Sequence, residues 1–127
     1  NMWRIVFKKR NKNRKKSDFP NPSPVPEEAI RAVVYFKDCQ GRIAVPVRKN
    51  RKVTLGRKAE VILREEDGVA DVHMALWYDQ GRYWIEKEET ENILKFNGRA
   101  LEKGDVRALY NGAVLEIGMT KYQFMEE

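Results

Sequence analysis

The chain has 127 residues, 42% of them hydrophobic and 35% charged, a composition that suits one soluble domain able to bury a core. One cysteine, Cys39, excludes an internal disulfide framework and fits a reducing, cytoplasmic setting. The net charge of +6 is uneven: residues 1–26 hold eight basic side chains against Asp18 alone, +7, while the other 17 basic and 18 acidic side chains give −1.

The leader, residues 1–26, carries the basic character of the whole chain. It comprises an apolar patch, "MWRIVF", a basic run, "KKRNKNRKK", and a proline ladder, "FPNPSPVP", with Pro20, Pro22, Pro24 and Pro26. Alternating proline disfavours helix and sheet, so the ladder reads as a semi-rigid polyproline II linker. The apolar patch is far shorter than the roughly 20 residues that cross a bilayer. Apolar residues followed at once by Lys and Arg nevertheless resemble the cytoplasmic exit of a transmembrane helix. Asn1 is not an initiator, so the chain reads as processed, tagged or cut from something longer, and the apolar-then-basic pattern makes the cytosolic part of a membrane-anchored protein our expectation. A basic leader drawn to acidic lipid, at about 1 kcal/mol per basic residue, stays open beside it. The near-neutral remainder argues against nucleic acid as a partner, since nucleic-acid-binding folds cluster positive charge on the domain itself.

From Ala29 onward the pattern is β. "RAVVYFKD" is rich in β-branched and aromatic residues and ends in the turn candidate "DCQG", after which "RIAVPV" resumes. "KVTLG" and "EVILRE" follow. "HMALWYD" and "RYWIEKE" flank Gln80-Gly81, a two-residue hairpin signal, and "ILKF" and "RAL" flank Asn97-Gly98, a favoured type I′ pair. "DVRALY", the turn Asn111-Gly112, "AVLEIG" and "KYQFM" complete the run. No segment reads as a convincing helix. The predicted fold is all-β: a β-sandwich of about ten to eleven short, mostly antiparallel strands over residues 27–127. Trp77, Tyr83 and Trp84 lie in strand pattern and read as core or cross-strand pairs.

The inventory for catalysis is thin. Ser17 and Ser23 both fall in the leader, so a Ser/His/Asp triad in the β region is excluded. Nothing in the pattern brings Cys39 and His73 together, and one histidine with one cysteine cannot build a typical zinc site. No phosphate-binding glycine loop is present. Glu86, Glu88, Glu89 and Glu91 read as a solvated acidic edge. No enzyme, cofactor or metal is expected.

The ordered motifs point elsewhere. Leu55-Gly56-Arg57 is followed by Ala70-Asp71-Val72-His73, then Thr90-Glu91-Asn92-Ile93 and Asn97-Gly98, with Asn111-Gly112 and Ile117-Gly118 closing. In that order, residues 53–124 resemble a forkhead-associated (FHA) domain, a β-sandwich that typically reads phosphothreonine peptides. The resemblance implies that Arg57 engages peptide or phosphate, that Asn92 holds the peptide backbone, and that Thr90 is a structural hydroxyl. Gly56, Asn97 and Gly98 would be structural, and His73 would brace the loops through hydrogen bonds.

The same resemblance implies a degraded pocket. Ala70 stands where the family places a serine that donates to phosphate, which removes a charge-assisted hydrogen bond worth roughly 1.5–3 kcal/mol. Asp71 and Glu91 stand beside the expected phosphate. Each repels it by about 4 kcal/mol before screening, at ~4 Å and an effective dielectric near 20. Ile93 replaces a glycine that lets the loop turn tightly. Lys58 and Arg64 could offset this, but no spacing places them. The expectation is a non-enzymatic protein-interaction module of degenerate FHA type that docks or scaffolds without phosphate. The alternatives are a working phosphothreonine reader and a leader-driven binder of acidic lipid or nucleic acid.

Overall fold

Burial alternates along most of the long strands, and the inward side chains meet in one core. The computed structural model describes residues 29–64 and 66–127. The basic run, apolar patch and proline ladder expected in residues 1–26 lie outside the described residues.

Among the described residues eleven strands follow one another: β1 (Ile30–Asp38), β2 (Gly41–Arg48), β3 (Val53–Gly56), β4 (Val61–Ile62), β5 (Met74–Asp79), β6 (Arg82–Lys87), β7 (Leu94–Phe96), β8 (Arg99–Ala100), β9 (Val106–Leu109), β10 (Val114–Ile117) and β11 (Thr120–Glu126). They form two stacked sheets, in the orders β9-β6-β5-β3-β4 and β2-β1-β11-β10-β7-β8. The pairing is antiparallel except between β3 and β4, where Leu55 faces Val61 in parallel register. The sandwich architecture and the mostly antiparallel pairing thus match the sequence reading. "EVILRE" is an exception in length, since among its described residues only Val61 and Ile62 are strand.

Two turns show why the hairpins form where they do. Gln80 and Gly81 have φ of 53° and 79°, and Asn97 and Gly98 have 49° and 88°. Both central residues being left-handed defines the type I′ turn, whose twist matches that of the flanking strands. The Gln80-Gly81 turn sets Trp77 opposite Trp84 and Tyr78 opposite Tyr83. Tyr83 is buried, whereas the two tryptophans are half-buried and stand at opposite positions of the hairpin, with the Lys52 ammonium 4.4 Å from the Trp77 ring centroid.

Inward positions of both sheets fill the interior: Phe36 and Val45 from β1 and β2, Leu55, Leu76 and Ile85 from β3, β5 and β6, and Leu115 and Phe124 from β10 and β11, all under 2% exposed. Burying such a side chain contributes about 1.5–3 kcal/mol, so this core carries the fold. Its two poles differ. One is formed by the loops 57–60, 63–64, 66–73 and 88–93 together with the β10–β11 turn. The other holds the Gln80-Gly81 turn and the point where the chain enters β1.

Candidate functional site

The loops of the first pole are joined by backbone contact. The Arg57 N–H donates to the Ala70 carbonyl at 2.8 Å, that of Lys58 to Asp71 at 2.9 Å, and that of His73 to Leu55 at 2.8 Å. Gly56 permits this approach, since a Cβ there would lie 2.3 Å from the Asp71 carbonyl oxygen and 2.8 Å from that of Ala70.

His73 is fully buried between two of the loops. Its Nδ1 accepts from the Ala70 N–H at 3.0 Å, which leaves the proton on Nε2 to donate to the Ile93 carbonyl at 2.9 Å. Burial pushes the His73 pKa down, against the opposing pull of the Ile93 carbonyl and the Glu89 carboxylate, so the ring is neutral. With both nitrogens engaged by backbone, the imidazole has no lone pair or proton left for Cys39, a substrate or a metal. Among the described residues no group of three or more His, Cys, Asp or Glu side chains is arranged to hold a metal ion.

Arg57 and Asp71 pair directly. The guanidinium Nη2 lies 3.0 Å from Asp71 Oδ1, with the two side chains 38% and 54% exposed. The half-buried Ala70 brings a methyl group, not a hydroxyl, beside them. Arg64 points elsewhere: its Nε and Nη2 clasp the Asp38 carboxylate at 2.8 and 2.5 Å. Lys58 is exposed next to Arg57.

Asn92 is held by an acid that the sequence reading had placed on a solvated edge. Glu89 receives the Asn92 backbone N–H at 3.0 Å and its side-chain amide at 2.7 Å. The Glu89 Oε2 also lies 3.1 Å from the ammonium of Lys87, whose side chain is only 3% exposed and which donates as well to the Glu89 carbonyl. Burial pushes the Glu89 carboxyl up, but the Asn92 donors and the Lys87 ammonium outweigh it and hold the pKa below the usual carboxylate range. Glu89 is therefore no free edge charge, and Glu86 is bridged to Lys52 at 2.8 Å. Thr90, Glu91 and Ile93 are exposed, and with Asn92 they form one wall of a groove of about 440 Å³ whose far side is Leu101 and Lys103.

Asn97 serves the neighbouring turn. Its Oδ1 accepts from the Val114 N–H at 2.9 Å and its Nδ2 bonds Tyr110, which pins the β7–β8 hairpin to the start of β10. The structure thus gathers Arg57, Ala70, Asp71, Asn92 and Ile93 around His73, and leaves Asn97 and Gly98 at a turn between strands. Lys87 and Glu89 are the two participants that the motifs did not indicate.

The family model described as "FHA domain" matches residues 53–118, just over half of the chain. No curated protein matches the chain. Among solved structures, the MEK1 FHA domain in complex with a HOP1 phosphothreonine peptide is 20% identical, with 76% of this chain covering 98% of that one at a TM-score of 0.60. The FHA domain of CT664 from Chlamydia trachomatis is 14% identical, with coverage of 76% and 99% and a TM-score of 0.61. EmbR from Mycobacterium tuberculosis, solved with a low-affinity phosphopeptide, is 17% identical at a TM-score of 0.62, and 76% of this chain covers 25% of that longer protein.

Proposed function

The chain belongs to the FHA domain family, whose members are interaction modules rather than enzymes, and from that premise we propose that it docks a protein partner without requiring phosphothreonine. One observation carries this reading: both side chains assigned to peptide reading, Arg57 and Asn92, are engaged by carboxylates of the chain itself, Asp71 and Glu89.

Magnitudes favour it. The Arg57–Asp71 pair is exposed and worth about 0–1 kcal/mol, so a phosphate could displace it at little expense. An Arg–phosphate hydrogen bond would return roughly 1.5–3 kcal/mol. The displaced Asp71 carboxylate would remain beside a dianion, however, with repulsion between about 1 kcal/mol in bulk water and about 4 kcal/mol at a protein surface. Glu91 adds to it, and Ala70 offers no donor. The terms cancel, leaving little net gain from the phosphate. The proposed partner surface is the loop pole, where Val72 and Ile93 are exposed and Ile93 lines the groove with Thr90 and Asn92. We place the module in the cytoplasm, its leader entering β1 at the opposite pole.

The test is titration of the full chain with a degenerate phosphothreonine peptide library beside the unphosphorylated library. Equal and weak binding of both is expected. The exposure of Arg57 favours a second reading, a phosphothreonine reader with altered neighbours. Selective binding of the phosphorylated pool, lost in Arg57→Ala, would establish that reading instead.

A further inference from the structure

The pole opposite the loops carries a cleft of about 520 Å³ that no part of the peptide-reading machinery uses. Arg31 from β1, Tyr78 from β5, Tyr83 from β6, Tyr110 after β9 and Glu126 from β11 line it. Its walls are already fixed. The Arg31 guanidinium lies 3.3 Å from the Tyr78 ring centroid and donates to the Tyr83 hydroxyl at 2.7 Å. The rings of Tyr78 and Tyr83 meet edge to face with centroids 5.0 Å apart. Tyr110 is 54% exposed, yet its ring packs edge-on against Phe96 and its hydroxyl is bonded by Asn97. Side chains ordered in advance lose little entropy when something binds.

A cleft floored by Tyr78 and Tyr83 beneath the Arg31 guanidinium, with the exposed ring of Tyr110 at its edge, suits a polyproline II segment. Aromatic rings pack against proline rings, and such a segment has no internal hydrogen bonds to give up and little conformational freedom to lose. The sequence supplies one next to the cleft: the ladder "FPNPSPVP", residues 19–26. Its last proline, Pro26, lies three residues before Ala29, whose carbonyl is held by the Lys49 N–H at 2.8 Å. Three extended residues span about 10 Å, so the ladder is tethered beside the cleft, at an effective concentration on the order of millimolar. Glu27 and Glu28 lie between ladder and sheet, and the exposed Arg31 and Arg82 at the cleft carry the complementary charge.

We infer that this tyrosine cleft is the docking site of the chain's own proline ladder, residues 19–26, bound in cis. The ladder covers Tyr110 and holds the leader against the pole opposite the peptide-reading loops. Nuclear magnetic resonance on the full chain tests this by comparison with a variant in which Pro20, Pro22, Pro24 and Pro26 are all serine. All four positions precede the first described strand, and none of the described core side chains is changed. The amide resonances of Arg31, Tyr78, Gly81, Tyr83 and Tyr110 are expected to shift together while those of residues 57–60 and 88–93 stay in place. Tyr110→Ala with the ladder intact should move the same cleft resonances away from their native positions. Changes confined to Ile30 and Lys49 beside the tether overturn the proposal. Native shifts that fade on hundredfold dilution also overturn it, because they mean that a second copy, not the same chain, fills the cleft.

Discussion

The Arg57 guanidinium sits 3.0 Å from the Asp71 carboxylate, so the exposed cation of the loop pole is already paired with an anion of its own chain. Asp71 both occupies Arg57 and repels a phosphate. Replacing it should therefore do more than free one arginine. In an Ala70→Ser, Asp71→Asn double variant a serine hydroxyl returns, worth roughly 1.5–3 kcal/mol to a phosphate, and about 1–4 kcal/mol of repulsion is removed. Affinity for a phosphothreonine peptide should rise by tenfold or more, since each tenfold corresponds to about 1.4 kcal/mol. Fluorescence anisotropy with phosphorylated and unphosphorylated peptides reads this. The gain should vanish when Arg57→Ala is added, and an unchanged affinity would locate the block at the Glu89-held Asn92.

Gly56 and Gly81 test two different reasons for a glycine. At Gly56 the φ is ordinary, but a Cβ would lie 2.3 Å from the backbone oxygen of Asp71, which cannot swing away as a side chain could. Gly81 faces open space but has a φ of 79°. Gly56→Ala should cost at least the 1–3 kcal/mol typical of overpacking and should push the 70–73 loop off β3. Gly81→Ala should cost only about 1 kcal/mol, the strain of a left-handed alanine, and leave the loops untouched. Urea unfolding midpoints check the ranking, and amide shifts at Arg57 and Lys58 check the loop.

How much of this was legible follows from the range of each interaction. The two hairpins were readable because Gln80-Gly81 and Asn97-Gly98 encode their own backbone conformation. The division into two sheets was not. Only Tyr110–Ala113 separate β9 from β10, yet these strands lie in opposite sheets, and no local signal marks the crossing. The motif series placed Arg57, His73 and Asn92, but it could not show that Arg57 faces Asp71 across 14 residues of chain. Lys87 was within reach of simple parity. Tyr83 and Ile85 point inward, so Lys87 must too, but its charge made an outward reading natural. Glu89 was hidden inside an acidic run, where composition suggests solvent and only the buried Lys87 reveals a partner.

The His73 ring makes stability depend on pH in a window of its own. Burial lowers its folded pKa below the unfolded value of about 6.5, with the Glu89 carboxylate and the Lys87 ammonium as the charged groups acting on it. Below that value the unfolded chain binds the proton more readily than the folded one, so stability is full above pH ~6.5 and falls as pH drops through the interval beneath it. Glu89 gives a second decline lower down. Its folded pKa lies below the usual value, so its contribution is present above about pH 4.3 and is lost as pH falls further. Urea midpoints between pH 7.5 and 3.5 should show both declines. In His73→Ala the upper one should disappear. Total stability should also fall by about 2–4 kcal/mol, because the Ala70 N–H and the Ile93 carbonyl lose their partner inside a new cavity.

Lys87 and Glu89 are best understood as a buried charge and its counter-ion. The Lys87 side chain is 3% exposed, and Glu89 at 3.1 Å is the acid that balances it while also gripping Asn92. Removing only the acid leaves an ammonium stranded in the interior, a situation that costs about 3–5 kcal/mol. Glu89→Ala should therefore destabilise strongly, and it should also free the Asn92 amide, so that the resonances of residues 90–93 broaden or shift. Replacing both partners by apolar residues of similar shape removes the desolvation penalty together with the attraction. Lys87→Met combined with Glu89→Leu should accordingly recover most of the loss in unfolding free energy. It should not restore the order of the 90–93 loop, because the acceptor of the Asn92 N–H is still missing. Stability recovered without loop order identifies the pair's role as holding the loop. Recovery of both would mean that Asn92 finds another partner and that Glu89 does not position it.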